Sequence, residues 1–157
     1  MIRNHSIRFV ALTISLLLSF LPVQAAERPF AFDGSGAATF IMDTAGNVTA
    51  ANVTASGTAT HLGLWTASGT VKFAPDPNNP GRLLSSAQLA FVAANGDQLQ
   101  VKLNGDLDPA AGFDKGVVQF VGGTGRFAAA SGFGEFVVEL NTATGAFKTT
   151  MVGNLNF

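Results

Sequence analysis

The chain has 157 residues, a formal net charge of −1, 12% charged residues and no cysteine. Without cysteine there are no disulfides, no thiol catalysis and no thiolate metal sites, and the absence of tyrosine removes the phenolic acid or base. A charge this close to neutrality gives no electrostatic footprint for nucleic acid or for an anionic membrane surface.

The N-terminal residues are typical of an export signal. Arg3 and Arg8 precede an apolar run from Phe9 to Leu21, and Pro22 and the small residues up to Ala25 form a cleavage region. Because the run has about 13 residues and a spanning helix needs ~20, we expect cleavage after Ala25 and no retained anchor. The sequence thus predicts a signal peptide over 1–25 and one domain over 26–157. The mature protein is expected to be secreted or periplasmic, without stable membrane insertion.

The rest of the chain predicts strands rich in Val, Thr and Phe, separated by turn residues. A lead-in over 27–32 is followed by eight such segments, at residues 36–42, 48–60, 62–73, 83–94, 98–107, 116–121, 133–140 and 146–157. The segment 74–81 contains three prolines, which lack a backbone donor, so we predict a surface loop there. A second loop is expected over 108–115. Between two strands, Asn95-Gly96 predicts a type I′ hairpin turn.

Polar and apolar residues alternate most regularly over 98–107. Leu99, Val101 and Leu103 point to one face, and the polar Gln100 and Lys102 point to the other. The short connections favour an up-and-down meander, and closure removes the exposed edges that so apolar a sheet would otherwise carry. The pattern therefore predicts an all-β fold, a single closed antiparallel up-and-down barrel of about eight strands.

The segment 122–132 contains four glycines in eleven residues and joins two strands. Glycine accepts positive φ and close backbone approach, so the segment predicts a sharp structural corner. The residues assigned to this corner are Gly122, Gly123, Gly125, Arg126, Phe127 and Gly132. An anion-binding nest around Arg126 is one interpretation, but the strand–turn–strand context favours a structural bond to a nearby carbonyl.

Few residues in the mature chain are suited to chemistry. His61 is the only histidine after the leader, and it has no cysteine or histidine partner for a zinc site. Trp65 is suited either to stacking on a ligand or to filling the core. Glu135 and Glu139 share one face of a strand, but their neighbours form the better apolar face, so both are expected in water. We therefore name His61 and Trp65 as candidate ligand-binding residues and predict no catalytic residue, metal site or cofactor.

The corner Gly122-Gly123-Thr124-Gly125-Arg126-Phe127, followed by Gly132, resembles the corner of allene oxide cyclases and plant dirigent proteins. Together with the segments 57–63 and 95–99, it is similar to small exported bacterial proteins of that barrel type, over roughly residues 57–157. The resemblance implies a calycin-like eight-stranded antiparallel barrel. The cyclases of that group steer a reactive epoxide in an apolar cavity with an ordered water and polar side chains. No motif in this chain matches those residues.

Three hypotheses about function follow. The first is a non-enzymatic binding module or scaffold for a small apolar ligand, favoured by the phenylalanine-rich interior and the few catalytic groups. The second is a cyclase or isomerase that acts by confining its substrate, which requires several polar groups converging on a cavity. The third is an outer-membrane barrel, suggested by the terminal Phe157 but disfavoured by the missing tyrosines and single tryptophan, because such barrels carry aromatic girdles. The sequence leaves the oligomeric state open.

Overall fold

The computed structural model describes residues 27–157, which form a closed barrel of eight antiparallel strands. Each strand pairs with the next along the chain, and β1 pairs with β8 to close the barrel. The strands are β1 (Arg28–Met42), β2 (Val48–Ala59), β3 (Gly63–Pro75), β4 (Leu83–Ala93), β5 (Gln98–Asp108), β6 (Phe113–Gly123), β7 (Ser131–Leu140) and β8 (Ala146–Asn156). This confirms the predicted fold class, and the predicted signal peptide over 1–25 lies outside the described residues.

Three predicted element boundaries were wrong. The lead-in over 27–32 belongs to β1, where Phe30 and Phe32 point inward and pair along β8. Pro75 ends β3 inside the segment predicted as a loop, opposite Leu83. The predicted loop over 108–115 ends early because β6 begins at Phe113. In each case the observed strand is longer than the predicted one. The extra residues are part of the barrel wall because they pair with a neighbouring strand.

The turn between β4 and β5 also differs from the prediction. Gly96 has φ of 88°, but Asn95 keeps a negative φ, so the turn is not of type I′. The Gly96 N–H donates to the Ala93 carbonyl at 2.9 Å, and Asn95 Oδ1 accepts from the Asp97 N–H at 3.1 Å. This is a type I arrangement followed by a left-handed glycine, another common hairpin solution.

The barrel interior divides into two halves. One half, which we call the closed end, is filled with large side chains from β1, β5, β6 and β8. These include Phe30, Leu99, Phe120 and Leu155, and Phe127 joins them from the connection between β6 and β7. The other half, the cavity end, lies toward the loops 43–47, 76–82, 109–112 and 141–145.

The glycine-rich corner closes the first half. After β6, residues Gly125–Phe127 form one 3₁₀ turn that carries Phe127 into the barrel, where it is fully buried. Thr124 fixes the turn to β5, because its N–H donates to the Gln98 carbonyl and its hydroxyl accepts from the Gln98 N–H. The segment is thus a strand connection whose phenylalanine plugs the barrel.

The outward positions of the strands are mostly polar. Along β2 and β3 they carry threonine, serine and asparagine, as at Asn52, Thr54, Ser68 and Thr70. In the part of the chain that the structure describes, no helix has the length and hydropathy of a membrane span.

Candidate functional site

The cavity end encloses a volume of about 100 Å³ that is lined almost entirely by apolar side chains. The space exists because β1, β2 and β3 place small residues inward, including Ala38, Ala51, Ala55 and Ala67. Larger side chains line the opposite wall and the outer rim. The interior of an eight-stranded barrel is either filled by side chains or leaves room for one small ligand. In this barrel, side chains fill the closed end, and the cavity end leaves room.

Trp65 forms the floor of the cavity. Its ring stacks on Phe32, with centroids 4.0 Å apart and planes at 19°, and meets Phe91 edge-on at 5.2 Å. Gly34 on β1 leaves room for the indole, because a Cβ there would collide with it. Only 2% of Trp65 is exposed, and its Nε1 is buried without a hydrogen-bond partner among the described residues. A buried N–H of this kind gains from any acceptor that reaches it.

One carboxyl group lies in the apolar wall. Asp114, the second residue of β6, points inward and lines the cavity. Its Oδ1 accepts a hydrogen bond from the buried Ser85 hydroxyl on β4 at 2.9 Å. The two side chains meet across β5 because Gly105 stands between them; a Cβ there would lie 2.5 Å from Asp114 Oδ1 and 2.6 Å from Ser85 Oγ.

Burial raises the pKa of Asp114 above its ordinary value of 3.8, because the charged form loses solvation. The Ser85 hydrogen bond lowers the pKa, and the negative charge of Asp106 raises it. The neighbouring cation Arg82 is engaged elsewhere, by Asp106 at 2.7 Å and by Asp108 at 3.0 Å. The cavity therefore favours a neutral polar group at this position over an anion.

This raised pKa predicts a pH-dependent effect of the substitution Asp114→Asn. The folded protein holds the Asp114 proton more tightly than the unfolded chain, so the stability contributed by this group is complete below pH 3.8 and is lost as pH rises through the folded-state pKa. Asparagine keeps the shape without the charge. We expect Asp114→Asn to raise the melting temperature at pH 7, and the gain to shrink as pH falls toward 3.8, as measured by circular dichroism.

The exposed Asp33 on β1 provides the control, because Asp33→Asn removes one formal charge from the outer face. A gain from Asp114→Asn that is independent of pH would contradict the assignment of a raised pKa to Asp114.

The two candidate ligand-binding residues lie in different places. Trp65 lines the cavity, whereas His61 lies in the loop between β2 and β3, outside the cavity lining. His61 Nε2 is 3.2 Å from the Pro29 carbonyl oxygen, and its ring is 5.3 Å from that of Phe157. His61 also has φ of 68°, the left-handed region in which non-glycine residues are uncommon. The structure thus brings Trp65 to the cavity and His61 to the closed end.

Arg126 and the two glutamates lie on the surface. Arg126 Nε is 3.6 Å from Asp97 Oδ2, and its guanidinium lies over the Phe127 ring at 5.0 Å. The structural bond of Arg126 is thus made to a carboxylate and not to a carbonyl. Glu135 and Glu139 are exposed on the outer face of β7. Across residues 27–157 no group of three His, Asp or Glu side chains is placed to hold a metal ion.

The sequence reasoning missed Asp114 and Ser85. The sequence pattern predicts a loop at Asp114, and a loop residue has no defined inward or outward face. In the strand as observed, it shares the inward parity of Val118 and Phe120. Extending the alternation of β6 backward by two residues would have indicated a carboxyl group inside the barrel.

Comparisons with known proteins identify the fold. No protein-family model matches the sequence. No curated protein matches it. Among solved structures, the pterocarpan synthase dirigent protein PsPTS1 superposes with a TM-score of 0.58 at 13% identity, covering 85% of this chain and 97% of that chain. The pterocarpan synthase dirigent protein GePTS1 gives 0.54 at 14% identity, covering 88% and 89%. This chain therefore has the barrel fold of dirigent proteins, which confirms the fold that the glycine corner implied.

Proposed function

We propose that this protein is an exported, non-enzymatic binding module that holds one small apolar molecule in the cavity end of its barrel. The observation that carries the proposal is the division of the interior into a packed half and a half with a cavity of about 100 Å³. Ligand sites are typically apolar concavities with a few placed polar groups, and here Asp114, which Ser85 holds by a hydrogen bond, supplies one. The N-terminal sequence pattern supports export to the periplasm or the medium.

The cavity suggests the chemistry of the ligand. An apolar cavity of about 150 Å³ takes a benzene molecule, so this smaller cavity of about 100 Å³ suits at most one small ring or a short branched chain. A neutral hydroxyl or carbonyl near Asp114 would gain a hydrogen bond. A carboxylate would lose its solvation on burial and would also be repelled by the Asp114 carboxyl group. Trp65 offers an aromatic face and an unpartnered N–H on the floor.

Filling the cavity tests the proposal. Ala38 lines the cavity, and the adjacent Ala37 is exposed on the outer face of the same strand. Ala38→Phe adds one phenyl ring to the cavity, so we expect it to weaken binding of benzyl alcohol at least tenfold, about 1.4 kcal/mol. Ala37→Phe adds the same ring outside and should bind as the unaltered protein does. Titration is followed through the fluorescence of Trp65, the single tryptophan of the chain.

Matched ligands test the role of the carboxyl group. Benzyl alcohol is expected to bind more tightly than toluene, and benzoate most weakly. Equal binding of all three would contradict the role of Asp114, and binding unaffected by Ala38→Phe would contradict the cavity as the site. Mass spectrometry of small molecules that co-purify with the exported protein then identifies the natural ligand.

A second candidate function is favoured by Asp114. A buried carboxyl group with a raised pKa is suited to moving a proton, and confinement of a substrate can itself lower a reaction barrier. The dirigent proteins with this fold are described as pterocarpan synthases, although a shared fold does not carry a function with it. If the protein is an isomerase or cyclase, the co-purified molecule will be converted by the protein, and Asp114→Asn will bind it without converting it. A binding module returns the molecule unchanged.

The outer surface argues for an aqueous environment and against the hypothesis of an outer-membrane barrel. A lipid-facing barrel presents an apolar band outward and polar groups inward. In this barrel most phenylalanines point inward, with Phe113 and Phe133 as exceptions on the outer face. Polar residues such as Asn52, Thr54 and Thr70 lie outside. We therefore propose that the exported domain works in water, and extraction without detergent tests this.

A further inference from the structure

The ladder between β3 and β4 is interrupted in the middle of the barrel wall. It is paired up to Thr66 and Val92 and resumes at Lys72 and Ser86 in the same register. Both strands stay paired to their other neighbours throughout. The other seven ladders of the described barrel are disturbed by no more than a bulge. The two strands stay side by side there, so what is missing is the ladder pairing and not the strand contact. We call this interruption the slit; it is bounded by residues 67–71 and 87–91.

The slit separates the cavity from a groove on the outside of the barrel. The groove lies over β3, β4 and β5 and is lined by polar side chains, among them Thr70, Lys72, Gln88 and Lys102. Leu103 lines both the groove and the cavity. The groove and the cavity thus come close to each other at Leu103, on the strand next to the slit.

Leu89 is the side chain that blocks the slit from within. It lines the cavity and packs against Gly69 on the opposite strand, with Cδ2 only 2.5 Å from where a Cβ on Gly69 would lie. Ala67 and Ala87 flank it with short side chains. Leu89 therefore lies between the two strands where their ladder is unpaired.

The barrel end is the alternative route. Its rim is formed by the half-buried Phe40, Phe73, Leu140 and Phe147, which all line the cavity. Elsewhere in the wall, a passage requires breaking ladder hydrogen bonds, each of which stabilises the folded state. Those bonds are already missing at the slit, and side-chain rotation is fast compared with strand separation.

We propose that the slit between β3 and β4 is the lateral entrance through which small uncharged molecules reach the cavity, with Leu89 as its gate. The passage of a ligand through it rests on the proposed binding function. The entrance itself is testable without a ligand, because Trp65 lines the cavity at the edge of the slit.

A reversible crosslink tests the entrance. Thr70 stands opposite Gln88 in the shared register, and both are exposed on the outer face. The chain has no cysteine, so Thr70→Cys with Gln88→Cys forms the only possible disulfide. The measurement is acrylamide quenching of Trp65 fluorescence, which reports how often a small neutral molecule reaches the buried indole. We expect oxidation to lower the quenching rate at least threefold and reductant to restore it.

The control crosslink joins two strands that are fully paired. Thr54 and Ser68 are ladder partners on the outer faces of β2 and β3. Thr54→Cys with Ser68→Cys should therefore quench equally in its oxidised and reduced forms. Equal quenching of the oxidised and reduced Thr70/Gln88 variant would overturn the proposal.

If the crosslink fails to form, two leucine truncations test whether small molecules enter through the slit or through the barrel end. Leu89→Ala removes the gate, and Leu140→Ala removes a side chain of similar size from the rim. We expect Leu89→Ala to raise the quenching rate at least threefold and Leu140→Ala to leave it unchanged. The reverse order would place the entrance at the barrel end.

Ligand kinetics separate this proposal from the proposed function. In stopped-flow measurements with benzyl alcohol, the oxidised Thr70/Gln88 crosslink should slow association and dissociation equally and leave the affinity unchanged. If benzyl alcohol does not bind to the unaltered protein, the binding function fails, and the quenching result still decides whether the slit admits small molecules.

Discussion

Replacing Phe127 by alanine is expected to lower the free energy of unfolding by about 3–5 kcal/mol, the range for a fully buried phenylalanine. Phe127 has no exposed surface and enters the closed end from a three-residue turn. No other side chain of the turn is buried, and the ring beside it, that of Phe157 with centroids 5.2 Å apart, is already packed against the core. Since domains of this size are stable by about 5–15 kcal/mol, the loss is a large fraction of the total. Urea unfolding followed by circular dichroism measures it.

Phe133 provides the matched control. It follows the same corner on β7 but is 66% exposed on the outer face. Phe133→Ala should change the free energy of unfolding by no more than about 0.5 kcal/mol, as surface substitutions usually do. A loss of comparable size from both variants would mean that Phe127 does not plug the barrel.

The division of the barrel relates this stability to function. The large buried side chains are concentrated at the closed end, whereas the cavity end is built from small residues such as Ala38 and Ala55. A cavity removes contacts that would otherwise stabilise the fold. The packed end compensates for that loss, which is why a substitution there is expected to affect folding and one at Ala38 to affect binding.

The barrel itself was predictable from the sequence. Alternation of polar and apolar residues identified both faces of β5, and short turns left few alternatives to a meander. The strand ends were less predictable, because they depend on pairing with neighbours that no local pattern reveals. The first residues of β1 form a strand because they pair with β8, which lies at the far end of the sequence.

The candidate site was predictable only in part. Trp65 was named from its residue type, and the structure places it on the cavity floor. The inward position of Asp114 was not predictable, because the face on which a carboxyl group lies is defined only once the strand that carries it is known. Its partner Ser85 comes from β4, and the two meet only because Gly105 on the intervening strand has no side chain. Such a three-strand arrangement follows from register, which the sequence alone does not specify.

Gly116 on β6 and Gly105 on β5 are ladder partners, two residues along β6 from Asp114. Gly116 approaches the neighbouring strand so closely that a Cβ would collide with the Asn104 carbonyl oxygen and lie 2.5 Å from Gly105 Cα. Backbone atoms cannot rotate away as a side chain does, so the two strands would have to separate.

Gly116→Ala is therefore expected to lower the free energy of unfolding by about 3 kcal/mol or more, among the larger effects of single substitutions. Gly46→Ala is the control, because Gly46 has φ of +85° but no atom within 4 Å of an added Cβ. Its cost is limited to backbone strain, about 1–2 kcal/mol. Because separation of β5 and β6 also moves Asp114 away from Ser85, Gly116→Ala should weaken benzyl alcohol binding, and Gly46→Ala should not. Urea unfolding and Trp65 titration measure the two effects, and a smaller loss of stability from Gly116→Ala than from Gly46→Ala would refute the close approach of the strands.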